Sequence, residues 1–304
     1  MIVATLSSRL ATGLLSAMTL TAGLVAAQNQ SQSNAPLRLQ SNVLGAGSAI
    51  ILLGGGLLGA DGWGGVPSLL SKTHRVINAQ SLVVQYGLEN RSLPAGYSLH
   101  TEVAALRASL DSLRIEVADI IGMSHGGVTA LIFALENPQR VRTLTLVEPP
   151  AFWLLPNHGD DDVGARQMQQ LVRSLRDAVI TEADVERFRC LLGDCKNGGS
   201  PRQAPQWNQW VKYRNSLRGL HTIGDYKDDP ARLRGLILPT LVVNGADTVA
   251  FHRTINATLI QLLPRAEPLE LTGGHNSPAS APEYFVAEWQ KFQQRTGTAK
   301  SGER

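Results

Sequence analysis

Short runs of consecutive apolar residues alternate along this chain with segments in which apolar residues recur every three to four positions. Ala49–Leu53 is such a run, and its length and branched side chains predict a strand buried on both faces. The segment that begins at Ser98 has its apolar residues at helical spacing, which predicts a helix. Because strand and helix patterns alternate, we predict an α/β fold with a mostly parallel sheet flanked by helices. The other predicted strands are residues 75–78, 117–121, 141–147, 238–244 and 268–271, and the other predicted helices are residues 128–136, 251–263 and 282–292.

The alternation stops after the strand that ends at Val147, and it resumes only near Leu238. The sequence between them is helix-like, charged and rich in tryptophan, which predicts a helical cap inserted into the sheet domain. The predicted division is a core of residues 37–150 and 235–295, a cap of residues 151–234 and a disordered tail of residues 296–304.

The amino-terminal segment has the pattern of a secretory signal peptide over residues 1–27. Arg9 is its only cation, a mildly apolar stretch covers residues 10–27, and small residues precede Gln28. A polar tail of residues 28–36 follows. We therefore expect a secreted or periplasmic protein with no membrane span after cleavage. The alternative is an uncleaved anchor, since the stretch is just long enough to cross a bilayer of roughly 30 Å.

Charge and cysteine content narrow the possible partners. The formal net charge is +3, but the Lys and Arg residues are scattered, so no nucleic-acid partner is expected. Cys190 and Cys195 are the two cysteines, and nothing around them resembles a zinc pattern. In an oxidising compartment they could close a small loop, which we favour over a free buried pair.

A candidate nucleophile lies where the strand over residues 117–121 meets the next helix. Ser124 is flanked two residues away by Gly122 and Gly126, and Gly127 adds clearance. Such a G-x-S-x-G turn lets a strand bend sharply into a helix and raises the serine hydroxyl above the sheet edge. The pattern therefore predicts a serine nucleophile.

A serine hydroxyl needs a base, and the base needs an acid that fixes its tautomer. Among the seven histidines, His275 lies on a loop after a predicted strand, which is where ligands meet open α/β sheets. Asp247 follows the preceding strand, so the chain order is nucleophile, acid, base. We predict Asp247 as the acid and keep Glu148, at the end of the strand before it, as the alternative.

A tetrahedral intermediate also needs hydrogen-bond donors for its oxyanion. The backbone N–H of His125 is one candidate because it directly follows the nucleophile. The second is the N–H of Gly56 in the glycine-rich loop after the first buried strand, where glycine allows a close approach to substrate.

With these motifs the chain resembles the α/β-hydrolase superfamily, in its capped branch of esterases, lactonases, perhydrolase-like enzymes and carbon–carbon bond hydrolases. The resemblance spans about residues 37–292. It implies cleavage of a small-molecule ester or lactone through an acyl-serine intermediate and a Ser-His-Asp triad, without cofactor or metal. The matching motifs are Leu-Leu-Gly-Gly-Gly-Leu-Leu-Gly at 52–59, Gly-Met-Ser-His-Gly-Gly at 122–127, Pro-Thr-Leu-Val-Val-Asn-Gly-Ala-Asp-Thr at 239–248 and Gly-Gly-His-Asn-Ser-Pro at 273–278.

Three departures separate the chain from the common pattern. Gly54-Gly55 replaces the usual His-Gly of the oxyanion loop, and the elbow neighbours Met123 and His125 are exchanged. Residues 78–81 replace the frequent Asp-x-Arg-Gly stretch. The loop also fits G-x-G-x-x-G, but the sequence after it cannot open a helix for a nicotinamide cofactor. A non-catalytic binding protein on the same fold is the alternative from another functional class.

Overall fold

The computed structural model describes residues 36–301, and the residues from Arg38 onward form one compact unit. Pro36 and Leu37 precede that unit and have no regular secondary structure. Seven strands form one sheet: β1 (Gln40–Leu44), β2 (Ala49–Leu53), β3 (Arg75–Gln80), β4 (Ala118–Met123), β5 (Val141–Val147), β6 (Thr240–Gly245) and β7 (Ala266–Leu271).

The sheet has the strand order β1-β3-β2-β4-β5-β6-β7. Only β1 runs antiparallel to its neighbour, and the other strand pairs are parallel. The central strands β2 and β4 are buried along their whole length, as expected for a parallel sheet covered on both faces. The predicted α/β fold is therefore confirmed. β1 is exposed at every position, so it has no apolar run from which it could be predicted.

Eleven α-helices occur within residues 36–301, and most of them surround the sheet. The helix predicted at Ser98 begins there with a capping box, in which the Ser98 and Thr101 side chains bond to each other's backbone N–H groups. The helices are α1 (Val66–Leu70), α2 (Leu82–Leu88), α3 (Leu99–Ser112), α4 (His125–Glu136), α5 (Val163–Ser174), α6 (Glu182–Arg189), α7 (Trp207–Lys212), α8 (His221–Asp225), α9 (Ala250–Leu262), α10 (Ser277–Ser280) and α11 (Pro282–Ser301).

Alternate side chains of β2 enter two different hydrophobic cores. Ile50 and Leu52 pack with the helices α1 and α11 on one face, where Trp289 is fully buried. Ile51 and Leu53 belong to the larger core on the other face, which continues into the cap. This two-residue period is the geometry of a strand, and it fixes which side of the sheet carries the cap.

The polypeptide between β5 and β6 contains only helical elements in the described structure. It occupies the residues assigned to the predicted cap, and its helix α5 begins with an N-cap bond from the Ala165 N–H to the Asp162 carboxylate. Cys190 and Cys195 form a disulfide that closes the turn after α6. The disulfide that was favoured for an oxidising compartment is therefore present.

Two predictions at the chain ends have different outcomes. Helix α11 continues to Ser301 and buries Thr296, so the tail predicted to be disordered from residue 296 is helical over 296–301. Among its described side chains, the last buried apolar residue of the helix is Phe292, which is where the predicted helix ended. The predicted signal peptide and nearly all of the polar tail lie outside the described residues. Within the described part of the chain, no helix is both long and apolar enough to cross a bilayer.

Candidate active site

Ser124 lies at the sharp turn between β4 and α4. Its backbone has φ 53° and ψ −121°, a conformation that non-glycine residues rarely adopt. The turn leaves no room for side chains at its glycines: a Cβ on Gly122 would lie 2.5 Å from the Gly126 carbonyl oxygen, and one on Gly126 would lie 2.2 Å from the Leu53 carbonyl oxygen. The predicted elbow geometry is therefore built by these glycines, and it presents a partly exposed serine.

His275 lies on the loop after β7 and is held by Glu148, the residue that follows β5. The His275 Nδ1 and Glu148 Oε2 atoms are 2.7 Å apart, and both side chains are buried. The second carboxylate oxygen, Oε1, accepts a 2.7 Å hydrogen bond from the Gly245 N–H. Glu148 has a positive φ of 43°, a strained conformation that aims its side chain across the sheet edge. Both carboxylate oxygens are thus engaged.

The environment of Glu148 keeps its carboxylate ionised. Burial alone would raise the pKa of Glu148, but the hydrogen bond with His275, the charge interactions with His275 and His252 and the Gly245 N–H together lower that pKa to about 2. The carboxylate is therefore negative throughout the neutral range, where it can stabilise an imidazolium.

Asp247 occupies a different position from the one predicted. Its side chain is exposed, and its carboxylate makes no hydrogen bond to any residue in the 36–301 range. Its backbone N–H donates to the Gly273 carbonyl, and its carbonyl accepts from Lys196. The structure therefore pairs His275 with Glu148 and corrects the prediction of Asp247 as the acid. The physical reason is that Asp247 lies two residues past the end of β6, in a turn that directs its side chain to solvent.

The glycine-rich loop after β2 lies directly beside the nucleophile. A Cβ on Gly55 would lie 3.5 Å from the Ser124 Cβ, and one on Gly56 would lie 3.3 Å from the His125 Cβ. The glycine-rich loop therefore lies against the first residue of α4 beside Ser124. The His125 ring is fully buried, both its nitrogens lack a partner among the described residues, and burial lowers its pKa. A neutral, packed imidazole is the result.

The residues that replace the usual Asp-x-Arg-Gly stretch hold this loop in place. Gln80 Oε1 accepts a 2.7 Å hydrogen bond from the Ala60 N–H, and Asn78 Nδ2 donates to the Ala60 carbonyl at 3.1 Å. The loop also closes on itself through the Gly59 N–H and the Gly55 carbonyl, 2.8 Å apart. The unusual sequence at residues 78–81 therefore supports the loop by amide side chains.

Ser124 and His275 line one small cavity that also contains Gly55 and Gly56. A larger cleft of about 700 Å³ lies next to this cavity between the core and the cap, and Trp210 and His275 line both.

A second cavity, here named the inner pocket, extends from Ser124 beneath the cap. Its open volume is about 20 Å³, which is room for about one water molecule. Apolar side chains from the cap and from α9 dominate its walls, among them Phe152, Met168, Phe188, Leu192, Leu220 and Phe251. Phe188 lies at the end of α6, and Leu192 lies within the loop that the disulfide closes directly after that helix.

His252 of α9 is a residue that the sequence did not single out. Its ring stacks on that of His275, with centroids 4.8 Å apart and planes at 23°, and it also lines the inner pocket. Burial and the neighbouring His275 lower the pKa of His252 to about 3, against an opposing effect of Glu148. A histidine in a predicted helix carries no sequence signal for such a contact, because only the fold brings α9 against the β7 loop.

Glu148, His252 and His275 form the one group of three metal-ligating side chains found within residues 36–301, with ligand atoms within 4.8 Å of one another. By residue type they could bind a transition metal ion. The two rings are nearly parallel, however, so their in-plane lone pairs do not converge on one point. The Glu148 oxygens also already bond to His275 and Gly245, so we assign no metal to the group.

Comparison with known proteins agrees with this architecture. The family model of the alpha/beta hydrolase fold matches residues 48–181. A Pantoea ananatis protein that bears the name of a carbamate hydrolase is 25% identical over 264 residues, covering 84% of this chain and 92% of that protein. A 2-hydroxy-6-oxononadienedioate/2-hydroxy-6-oxononatrienedioate hydrolase of Cupriavidus pinatubonensis is 26% identical and covers 76% of this chain and 81% of that protein.

Among solved structures, a thermophilic esterase from Thermogutta terrifontis superposes with a TM-score of 0.66 at 18% identity, covering 85% of this chain and 93% of that chain. The chain therefore has the α/β-hydrolase fold, and it is similar to the alpha/beta hydrolase family over residues 48–181.

Proposed function

We propose that this protein is a serine hydrolase that cleaves small carboxylic esters or lactones through an acyl-serine intermediate. The observation that carries the proposal is the buried Glu148–His275 hydrogen bond, together with the cavity that both His275 and the strained Ser124 elbow line. A nucleophile and a base that line one cavity, with an orienting acid bonded to the base, form the arrangement that acyl transfer requires. The proposed triad is therefore Ser-His-Glu.

In the proposed reaction, Ser124 Oγ attacks the carbonyl carbon while His275 Nε2 accepts the hydroxyl proton. Glu148 stabilises the imidazolium that forms, and the N–H groups of His125 and Gly56 donate to the oxyanion. His275 then returns the proton to the leaving alcohol as the carbon–oxygen bond breaks. Water attacks the acyl-serine by the same steps and releases the carboxylic acid.

A fluorophosphonate probe tests this proposal. We expect wild-type protein to be labelled covalently and the Ser124→Ala variant to remain unlabelled. A folded wild-type protein that takes up no label would contradict the enzyme and favour the binding protein on the same fold.

A second candidate is hydrolysis of a carbon–carbon bond, favoured by the Cupriavidus pinatubonensis relative named above. The same triad serves both reactions, so the substrate distinguishes them. A panel of esters, lactones and vinylogous diketones would show which class gives the highest kcat/KM. If the protein hydrolysed only the diketones, carbon–carbon bond hydrolysis would replace ester hydrolysis as the proposed function.

The narrow inner pocket predicts a preference for short acyl groups. We expect acetyl and propanoyl esters to exceed hexanoyl esters in kcat/KM, because longer chains need the wall to open. Leu220→Ala removes part of that wall. It should raise the ratio of kcat/KM for the hexanoyl ester to kcat/KM for the acetyl ester about 10-fold, since each methylene in an apolar pocket contributes roughly 1–3 kcal/mol to transition-state binding.

Leu217→Ala is the matched control for this ratio. Leu217 is fully buried in the segment just before Leu220, but it is not part of the inner pocket wall. It should lower the melting temperature without changing chain-length preference. An unchanged ratio in Leu220→Ala would show that acyl groups bind elsewhere.

We also propose export of the protein, supported by the signal-like segment 1–27 and by the disulfide between Cys190 and Cys195. Protein recovered from the periplasm or medium of an expressing bacterium should begin at Gln28. Recovery with Met1 intact in the membrane fraction would support the anchor instead.

A further inference from the structure

His252 introduces a polar group into a pocket wall that is otherwise apolar. The side chain is 1% exposed, and it lines the inner pocket beside Ser124. Nδ1 is sealed from solvent and has no hydrogen-bond partner within the described residues. Nε2 also makes no hydrogen bond to the described residues, and because the His252 ring lines the inner pocket we infer that this nitrogen faces the cavity. A buried polar group of this kind is normally matched by a partner.

The protonation state of His252 defines what such a partner must offer. With its pKa lowered to about 3, the ring is neutral at physiological pH and carries a single N–H. A buried N–H group without an acceptor costs more free energy than a buried acceptor without a donor. We therefore assign the single ring hydrogen of His252 to Nε2 rather than to the buried Nδ1. Nε2 therefore presents a donor to the pocket.

The surroundings exclude an anionic partner. The Glu148 carboxylate has a ligating oxygen within 4.8 Å of the His252 and His275 ligating nitrogens, and it is ionised. A second carboxylate beside it would be repelled in this poorly solvated site. The partner must accept a hydrogen bond while remaining uncharged.

We propose that His252 Nε2 donates a hydrogen bond to an uncharged oxygen on the acyl group of the substrate, so that the enzyme selects short acyl chains with an ether, oxo or hydroxyl oxygen near the carbonyl. The inference rests on the proposed ester hydrolysis at Ser124. The oxygen lies near the carbonyl because the His252 ring stacks 4.8 Å from the proposed base, His275. Ser124 and His252 line the same narrow pocket, which places the proposed donor on the acyl side of the serine.

Two p-nitrophenyl esters of equal acyl length test this selection. The methoxyacetyl ester carries an ether oxygen where the butanoyl ester has a methylene, and the ratio of their kcat/KM values reports the preference for oxygen. Comparing this ratio between variants cancels the different chemical reactivity of the two esters. We expect His252→Phe, which keeps a ring against His275 but has no donor, to lower the ratio about 10-fold.

His252→Gln retains an amide donor and should keep part of the preference, which also covers a failure of the Phe variant to fold. Ile255→Val is the matched control, because Ile255 is buried on the same helix but does not line the inner pocket, so the ratio should stay unchanged. Equal ratios in wild type, His252→Phe and His252→Gln, with both esters turned over, would overturn the selection while leaving ester hydrolysis intact. Failure of the wild type to hydrolyse either ester or to take up fluorophosphonate would overturn both.

Discussion

Ser124→Ala should lower kcat for the best ester substrate by on the order of 10⁴ to 10⁶ and leave the folded structure unchanged. Removing the hydroxyl removes the nucleophile, and no other residue of the proposed mechanism can take its place. Alanine adds no atoms to the elbow, so the melting temperature should stay within a few degrees of wild type. Steady-state turnover and a thermal melt on the same preparation measure both quantities.

Ser277→Ala is the control for this substitution. Ser277 is a fully buried serine at the start of α10, and its Oγ has no partner among the described residues. Its loss should leave turnover near that of wild type. If Ser124→Ala also retained near-full turnover, Ser124 would not be the nucleophile and the proposed mechanism would fail.

Glu148→Gln should lower kcat by about 10³ to 10⁴, whereas Asp247→Asn should remain within about 3-fold of wild type. The glutamine side chain would keep the volume of the native one but lose the charge that stabilises the His275 imidazolium. It could also present an N–H to Nδ1, which would favour the wrong tautomer of the ring. Asp247 is linked to its surroundings through backbone atoms, which the Asn substitution preserves.

The comparison of these two variants decides which carboxylate is the acid. Each is an isosteric amide replacement, so differences in size do not contribute. A large loss in Asp247→Asn together with an active Glu148→Gln would reinstate Asp247. A melting curve for each variant separates a catalytic loss from unfolding, because Glu148 is fully buried.

Local sequence patterns were sufficient to predict much of the sheet. The bounds of β2 match the apolar run Ala49–Leu53, because a strand buried on both faces favours apolar residues throughout. β5 also has the predicted bounds Val141–Val147, although its sequence includes an arginine and two threonines. The elbow was equally readable, since Gly122 and Gly126 are required where a Cβ would collide with backbone. By contrast, β1 is exposed along its length, and its pairing with β3 depends on a neighbour distant in sequence.

The candidate site was only partly readable for a related reason. Glu148 and Asp247 follow the adjacent parallel strands β5 and β6, and both strand ends lie at the edge where His275 is found. Chain order favoured Asp247, but side-chain direction at a strand end depends on one or two backbone angles. The positive φ of Glu148 turns its carboxylate toward His275, and no residue pattern encodes that angle.

The sequence by itself determined the α/β architecture, the helical insertion, the serine elbow and the importance of the histidine loop, because each depends on the residues within one element or turn. Only the tertiary structure decided that Glu148 holds His275, that His252 stacks against it, and that cap residues narrow the inner pocket. These three features join elements that lie apart in the chain. Such contacts arise from how the elements pack, and local sequence patterns carry no record of them.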